Sequence, residues 1–558
     1  MAVYGKLSPF RRLMTVLCLL GAQTLVAQMV AVSQAPIPGG GYRIAGLVIS
    51  KVDGHLLARA RIFVRDTKDQ RKLQSLVTAE DGRFDFEGLP AGKYALEGRK
   101  KGFIPAGYDQ HDQFSTAIVT GAGLDTASLM LRLAPVAIIS GKVIDEVGEP
   151  IRNATVAAYY DDHSGGVDQI REVGSAQTDD LGAYELTPLK PGTYFLSARA
   201  QPWYAVHPSS SLANSGSDGQ AVLAVDRSLD VAYPVTYYAD ATEAEQATPI
   251  PVREGQRVQV DLHLNPVPAL HLLFHIPGDG KNGFPLLELL QPAFDGFTSV
   301  GGSGSQLVSS GVLEITGVPA GRYDVRVSGG APGAQMNGID LSKDGEEVDT
   351  SAGEALSSVK VSVRIPGEPT LPARLAVGLR SSRRVIAAWQ PVDRNGAVEL
   401  REIAAGRYEV VVWSSAKPYS IVHIAGEGAE VSGHTLTVPP GASPFVSLTL
   451  AGGSADLQGT VMRAGKAFAG AMVVLVPKDP EVNSDLFRRD QSDQDGSFRL
   501  RSIIPGSYTL LAIENGWDLD WSQPGAISVY AKHGQKIEVR NPPGQPQKLV
   551  EPIEVQSK

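Results

Sequence analysis

The sequence predicts an all-β protein, built as a tandem array of about five β-sandwich modules that follow an N-terminal signal peptide. A strand-turn-strand motif recurs five times, and short β-branched runs end repeatedly at Gly, Asp or Pro. No long amphipathic helix pattern interrupts them. The 60 glycines and 37 prolines are spread along all 558 residues, which gives the turn content that many short strands need. A chain of this length exceeds one ordinary core, so several domains are expected.

The N-terminus has the features of an export signal. Residues 1–27 combine a basic start with the uncharged apolar run 13–27, which ends in small residues suited to cleavage. Residues 28–43 then form a linker. An uncleaved membrane anchor is the alternative, for which the apolar run is short. The basic residues are Lys6, Arg11 and Arg12.

Charge and cysteine content narrow the function classes. The formal net charge is −9, and the chain becomes more acidic once the three positive charges of the leader are removed. This balance disfavours nucleic acid or an anionic membrane as the main partner. The sole cysteine, Cys18, lies in the leader, so neither disulfides nor thiolate chemistry is expected after cleavage. No second run is long enough to span a bilayer. We therefore expect an exported protein, which is periplasmic, secreted or at the cell surface.

The recurring motif is an alternating strand between two tight turns. In its first copy an Asp-Gly turn at 81–82 precedes Phe84 and Phe86, which alternate with polar neighbours. A second turn at Gly92 opens the returning strand. Each copy places a tyrosine two residues after this glycine, and we expect its ring to be buried while its hydroxyl bonds a backbone acceptor or water. These residues are Tyr94, Tyr194, Tyr323, Tyr408 and Tyr508.

Upstream of the hairpins lie β-branched runs that predict partner strands, with around seven strands in each module. The repeat spacing sets the predicted boundaries, since each module has a common domain size. The predicted modules are residues 44–135, 136–266, 267–357, 358–452 and 453–558.

The motif order in the second copy resembles a known family. Residues 141–194 run through Gly-x-Val, Gly-x-Pro-Ile-x-x-Ala-x-Val, Asp-x-x-Gly-x-Tyr and Pro-Gly-x-Tyr. This order resembles carboxypeptidase regulatory-like domains, which are Ig-like or prealbumin-like (transthyretin-like) sandwiches often grouped with carbohydrate-binding-like folds. Residues 44–96 and 457–510 follow closely. The segments 267–330 and 358–413 keep the final hairpin but lose the Gly-x-Pro stretch. Such a resemblance is specific for fold and weak for function.

No catalytic, cofactor-binding or metal-ligating residues are predicted. The chain contains no His-Glu-x-x-His motif. His271 and His275 would share one face of a strand. Because no nearby carboxylate partner is expected, they are better explained as strand-surface residues than as metal ligands.

Two acidic turns raise the question of calcium. Asp493 and Asp495 lie on one turn, and Asp179 and Asp180 lie on another. Carboxylate oxygens on exposed turns can hold calcium, although calcium loops carry more regularly spaced acids. Turn chemistry is therefore the favoured explanation, with calcium binding left open.

The candidate binding site is aromatic. Trp517, Asp518, Asp520 and Trp521 put two indole rings beside two carboxylates after the last hairpin. Exposed rings stack on sugar faces while carboxylates accept hydroxyl hydrogen bonds, so the group is a candidate glycan-binding patch. The favoured alternative is that these residues plug the sandwich end or pack between modules. The pair 203–204 (Trp-Tyr) holds the equivalent place in the second module.

These observations indicate a non-catalytic exported binding or scaffold protein. Recognition of carbohydrate or another extracellular polymer is the leading hypothesis, and it depends mainly on the resemblance. The partner would be a polysaccharide or an extracellular protein. A passive spacer or adhesive rod is one alternative, and an accessory subunit of an exported enzyme or outer-membrane transporter is another. The sequence leaves the oligomeric state open.

Overall fold

The computed structural model describes residues 40–208, 226–276, 286–329, 333–368, 370–381, 386–415, 419–453, 455–481, 483–540 and 545–558. The predicted signal peptide, with Cys18, and most of the 28–43 linker lie outside the described residues. Within these ranges the protein is almost entirely β, with 46 strands in ten sheets. These ranges contain one α-helix, α1 (Pro524–Ala531). They contain no helix whose length and apolarity would let it cross a membrane.

The first module pairs a three-stranded sheet, in the order β4-β1-β8, with a five-stranded one. The larger sheet has the order β3-β2-β5-β6, with β7 also on β5. The strands are β1 (Tyr42–Ser50), β2 (Arg61–Asp66), β3 (Leu73–Val77), β4 (Arg83–Leu89), β5 (Gly92–Arg99), β6 (Ala106–Gly107), β7 (Ile118–Thr120) and β8 (Leu129–Leu133).

The second module has sheets β12-β9-β17, with β18 also on β9, and β11-β10-β13-β15, with β16 also on β13. Its strands are β9 (Ala137–Ile144), β10 (Thr155–Asp162), β11 (Gln169–Gln177), β12 (Ala183–Leu189), β13 (Gly192–Arg199), β15 (Thr236–Tyr237), β16 (Ile250–Val252), β17 (Arg257–Gln259) and β18 (Leu262–His263). Between β13 and β15 the chain makes β14 (Val231–Ala232), which pairs with the third module instead.

The third module has sheets β14-β19-β23-β22, with β26 also on β19, and β21-β20-β24-β25-β27. Its own strands are β19 (Val267–His275), β20 (Leu286–Ala293), β21 (Gly296–Val300), β22 (Gly304–Ser309), β23 (Val312–Pro319), β24 (Gly321–Ser328), β25 (Ala334–Leu341), β26 (Glu347–Asp349) and β27 (Glu354–Ala355).

The fourth module has sheets β31-β28-β36-β33 and β30-β29-β32-β35-β34. Its strands are β28 (Ser357–Arg364), β29 (Leu375–Ser381), β30 (Ile386–Pro391), β31 (Ala397–Ile403), β32 (Gly406–Ser414), β33 (Tyr419–Glu427), β34 (Glu430–Ser432), β35 (Thr435–Val438) and β36 (Phe445–Gly452).

The fifth module has sheets β38-β37-β41, with β44 and β45 also on β37, and β40-β39-β42-β43, with β46 also on β42. Its strands are β37 (Ala455–Arg463), β38 (Lys466–Ala467), β39 (Met472–Pro477), β40 (Arg488–Gln491), β41 (Ser497–Ile503), β42 (Gly506–Glu514), β43 (Gln535–Val539), β44 (Gln547–Lys548), β45 (Ile553–Glu554) and β46 (Gln556–Ser557).

All five modules share one connectivity, which confirms the predicted fold class. The first long strand of each pairs antiparallel with the strand before the repeat glycine and parallel with a late strand, as β1 does with β4 and β8. The third and fourth modules keep this pattern in β19 and β28, although their sequences match the family pattern poorly. Alternating residues of the paired sheets fill the cores, as Phe84 and Phe86 do in the first module.

The repeat tyrosines behave as predicted, since their rings are buried. Each hydroxyl donates to the backbone carbonyl four residues upstream, which ties the turn to the strand that follows it. The bonds are Tyr94 to Pro90 (3.0 Å), Tyr194 to Lys190 (2.9 Å), Tyr323 to Pro319 (2.6 Å), Tyr408 to Ala404 (2.9 Å) and Tyr508 to Ile504 (2.8 Å).

Contacts between modules are not limited to modules that are adjacent in the chain. Modules two and three share a continuous core, in which Phe294 contacts Tyr159 and Tyr237 at ring-centroid distances of 4.9 and 5.7 Å. Between modules three and four, the Arg326 guanidinium donates to the Glu402 carbonyl at 2.8 Å. The fifth module folds back onto the first and second through residues 489–495 and 517–522. The chain therefore closes on itself.

Candidate functional site

Trp517 lies in the contact between the fifth and first modules. It sits in the short 3-10 turn Gly516–Asp518 after β42. Its ring stacks on His111 with centroids 5.0 Å apart and planes 7° apart, and it contacts Phe114 at 5.8 Å. Its indole nitrogen donates to the Gly470 carbonyl at 3.2 Å. One face of the ring is thus covered by another module.

Trp521 lies in the contact between the fifth and second modules. The Arg489 guanidinium lies 4.2 Å from the centre of its ring, and Phe487 meets the ring at 5.8 Å. Gly166 of the second module approaches the ring so closely that a Cβ there would overlap it. Beside it, Ser522 donates its backbone N–H and its hydroxyl to the Gly166 carbonyl at 3.0 and 2.8 Å.

The two predicted carboxylates also have partners. Asp518 pairs with the ammonium of Lys558, and Asp520 lies 3.1 Å from Nδ1 of His163 in the second module. The structure thus gathers all four predicted residues around the junction of three modules. This placement supports the alternative of packing between modules, and glycan binding by these four residues stays a prediction.

Arg489 links the three modules that meet here. Its side chain is only 5% exposed, and it forms an ion pair with Asp112 of the first module at 3.1 Å. It also donates to the Ser164 carbonyl of the second module at 3.1 Å. Burial lowers the pKa of this guanidinium, and Asp112 opposes that shift. The carboxylate and the aromatic rings around Arg489 offset the cost of burying its charge.

The first acidic turn holds a lysine of another module. Lys93 donates to Asp493 at 2.5 Å and lies 3.3 Å from Asp495. The other oxygen of Asp493 accepts the backbone N–H of Ala117 at 3.0 Å. Burial raises the pKa of Asp493, although Lys93 acts against that change. An ammonium group thus occupies the position that a cation would take between these carboxylates.

The second acidic turn satisfies its own backbone. Asp179 accepts the N–H groups of Leu181 and Ala183 at 2.9 and 2.8 Å, while Asp180 is exposed. The second turn thus shows the turn chemistry that the sequence favoured over calcium, whereas the carboxylates of the first turn bind another module. Calcium binding itself stays open.

The two strand histidines have carboxylate partners that the sequence did not reveal. His271 lies 3.1 Å from Asp230 and 3.3 Å from Asp344, and His275 lies 3.0 Å from Glu347. The expectation that no carboxylate stands nearby was wrong. These acids are 41 to 73 residues away in the chain, and strand pairing brings them in.

A polar cleft opens where modules one, two and five meet. Its volume is about 1,180 Å³, which is large enough for a short stretch of polymer. Its walls carry hydrogen-bonding side chains from all three modules, among them Tyr108, His111, Tyr160, Arg171, Tyr194 and Arg489.

A second aromatic surface lies on the outer face of the fourth module. Trp389 on β30 pairs with Gly378, and Trp413 on β32 pairs with Ala376, so both rings flank β29 on one face. The opposite face of β29 supplies the core residues Leu375, Val377 and Leu379. The two tryptophans are 39% and 51% exposed. We call this surface, formed by Trp389, Gly378, Ala376 and Trp413, the tryptophan platform.

Small residues make the platform flat. A Cβ on Gly378 would lie 2.2 Å from Trp389 Cε3, so the ring lies across the strand where a side chain is missing. At one end Arg380 and Glu409 form an ion pair at 2.6 Å, and both remain partly exposed. The platform thus combines two aromatic faces with one group of hydrogen-bond donors and one of acceptors.

The sequence contained a signal for this surface. Tyr408 begins an inward alternation, so period two directs Val410 and Val412 inward and Trp413 outward. A tryptophan directed outward from a strand is a binding candidate that this alternation would have revealed. The distance between Trp389 and Trp413 in the chain hid their pairing.

Comparison with known proteins supports the predicted family. The carboxypeptidase regulatory-like domain model matches residues 43–120 and 138–225, which lie in the first and second modules. No curated protein matches the chain.

Solved structures give weak likenesses. The Bacillus anthracis TIE protein is 11% identical, with 80% of this chain and 79% of that chain covered and a TM-score of 0.18. The full-length major pilin RrgB from Streptococcus pneumoniae is 10% identical, with coverages of 92% and 99% and a TM-score of 0.15. Two B repeat units of the collagen-binding protein of Staphylococcus aureus are 11% identical, with coverages of 74% and 99% and a TM-score of 0.13. Scores this low support no inference about what this chain does.

Proposed function

We propose that this chain, whose first two modules match the carboxypeptidase regulatory-like domain family, is a non-catalytic exported protein that binds a neutral polysaccharide. The single observation that carries this proposal is the tryptophan platform of the fourth module. The family match contributes fold and little function, since modules of one fold serve many roles. The binding assignment therefore depends on the platform's own chemistry.

The exposure of the two rings is the first argument. Indole is the largest apolar side chain, and exposing two on one side of a single strand leaves an apolar patch uncovered. Trp389 and Trp413 flank one strand, so about two strand spacings, roughly 10 Å, separate their backbones. A chain of several sugar rings is long enough to contact two indole rings attached at this backbone separation.

Polar groups at the platform supply the second argument. Arg380 can donate and Glu409 can accept hydrogen bonds from sugar hydroxyls without giving up their own ion pair. The acidic charge of the whole chain favours a neutral polymer over a polyanion.

The test is affinity electrophoresis of the full chain in gels containing neutral polysaccharides. W389A and W413A should each weaken retention about tenfold or more, since losing a central aromatic anchor costs about 2 kcal/mol. W203A is the matched control, because Trp203 is 84% exposed on the second module and should not change retention. Melting temperatures of the variants should stay close to that of the parent chain.

The same gels separate the competing site. If W517A or W521A abolishes retention while the fold is intact and W389A does not, the binding surface lies at the module junction and the platform proposal is rejected. Absence of retention on every neutral polysaccharide would also reject it. Two alternatives would then remain. One is a passive spacer or adhesive rod, and the other is an accessory subunit.

A further inference from the structure

A second group of polar residues lies where the second module meets the fifth, at the hairpin between β10 and β11. Asp161 is near the end of β10, His163 is in the turn, and Asp168 precedes β11. Each offers one ligand atom, and the three atoms lie within 4.8 Å of one another. The group, which we call the Asp-His-Asp cluster, has no role in the platform proposal.

The orientation of His163 is fixed from the fifth module. Its Nδ1 lies 3.1 Å from Asp520, while its Nε2 is directed to Asp161 at 3.4 Å. Histidines that bind metals commonly donate the N–H of their other nitrogen to a carboxylate, which fixes the tautomer and the ring plane. Asp520 supplies that partner here and leaves Nε2 facing the two aspartates.

The environment of Asp161 gives an independent observation. Its Oδ1 is screened from solvent and makes no hydrogen bond, although Nε2 of His163 lies 3.4 Å away. A screened anionic oxygen without a hydrogen bond is costly, and a second carboxylate beside it adds repulsion. A bound cation would satisfy this oxygen and remove the repulsion.

We propose that Asp161, His163 and Asp168 bind one divalent transition-metal ion, with zinc as the probe, and that Asp520 acts as the positioning residue for His163. One imidazole nitrogen and two carboxylate oxygens form a donor set that suits zinc or manganese, whereas calcium and magnesium prefer oxygen ligands alone. Three protein ligands leave at least one coordination position for water.

This site would connect metal binding to the contact between modules. Asp520 belongs to the fifth module and the three ligands belong to the second, so the ion binds best when the two modules are docked. By mass action an ion that prefers the docked state stabilises it. The ion therefore holds the closed chain together at this point.

The test is isothermal titration of the tag-free full chain, treated with chelator and then titrated with zinc, manganese or calcium chloride. We expect one zinc ion to bind, with calcium at least tenfold weaker. D161N, D168N and H163Q should each lower zinc affinity at least tenfold. D520N should lower it about 10- to 100-fold, as loss of an outer partner of a ligand does. E149Q, at an exposed acid of the same module, is the control and should change nothing.

Melting curves in chelator check that each variant folds, and H163Q avoids changing either carboxylate if D161N or D168N fails to fold. Zinc binding that these substitutions leave unchanged would overturn the proposal, as would calcium binding tighter than zinc. If no metal binds to the chelator-treated chain, the proposal fails. Every outcome is independent of polysaccharide binding.

Discussion

At the scale of single residues, two largely buried carboxylates of the fifth module, those of Asp493 and Asp490, differ in the groups that contact them. Asp493 faces the Lys93 ammonium, whereas Asp490 on β40 accepts the backbone N–H of Arg499 at 2.7 Å. Burial raises the pKa of Asp490 to about 6, although its backbone hydrogen bonds act in the opposite direction. Ionised Asp490 therefore destabilises the folded module at neutral pH.

This residue predicts a pH dependence of stability. A carboxyl whose pKa is higher in the folded than in the unfolded state stabilises the fold below the unfolded pKa, about 4. That contribution is lost as the pH rises through about 6. D490N should therefore stabilise the fifth module at pH 7.5, by up to about 3 kcal/mol, and by much less at pH 4.5. Hydrogen exchange of β40 and β41 measures this difference.

The control for this prediction is E551Q, which alters an exposed acid of the same module and should show no such pH trend. A D490N variant whose protection matches that of the parent chain at both pH values would contradict the assigned burial effect.

At the residue scale, the sequence was informative only where the partner is local. The hydroxyl of each repeat tyrosine was expected to meet a backbone acceptor, and it meets one four residues away. The partners of Lys93 could not be predicted, since they lie 400 residues further along the chain. No local pattern encodes which turn of one module docks on which edge of another.

At the scale of elements, three modules share a hydrogen-bonded hydroxyl that lies outside the predicted repeat motif. Thr178, which precedes the Asp179 turn, is buried. It accepts the N–H of Ala154 at 2.8 Å and donates to the carbonyl of Ile151 at 2.6 Å. Thr78 and Ser492 make the equivalent pair of bonds in the first and fifth modules. The hydroxyl thus connects β12's turn region to the segment that leads into β10.

Replacing this hydroxyl should destabilise the second module. T178V keeps the shape but leaves a buried N–H and a buried carbonyl without their partner, at a cost of about 1 to 3 kcal/mol. T178S keeps the hydroxyl and loses one methyl group, about 1 kcal/mol. Hydrogen exchange of β10 should show the larger loss in T178V. Equal losses in the two variants would mean that the bond contributes nothing beyond packing.

The element scale also shows what the alternation could and could not predict. The five hairpins followed from period two and turn chemistry, so the all-β fold was predictable. The platform requires the register of β29 between β30 and β32, which sequence alone does not specify. The Asp-His-Asp cluster likewise needs the fifth module to bring Asp520 to His163.

At the scale of the whole molecule, closure depends on Arg489, which contacts Asp112, Ser164 and Trp521 from three modules. R489M keeps an unbranched apolar stem but removes the guanidinium with its charge and hydrogen bonds. Losing a buried anchor at the centre of an interface costs about 2 kcal/mol or more. We expect R489M to release the fifth module, and small-angle scattering should then show a larger radius of gyration than in the parent chain.

Small-angle scattering also tests the alternative that the protein is a passive spacer or adhesive rod. R364M, at an exposed arginine of the fourth module, is the matched control and should leave the scattering unchanged. A parent chain that already scatters as an extended rod, with R489M identical to it, would contradict closure and favour the spacer or adhesive-rod function.

Closure also has a consequence for how the protein is made. The backbone N–H groups of Ala117 and Val119, at the edge strand β7, bond the side chains of Asp493 and Gln494. During synthesis the first module emerges with this edge uncovered, and its cover arrives only after about 370 further residues. An uncovered edge strand is a template for pairing with other chains. We therefore expect a chain truncated before the fifth module to leave this short edge unpaired and to aggregate more readily than the full chain.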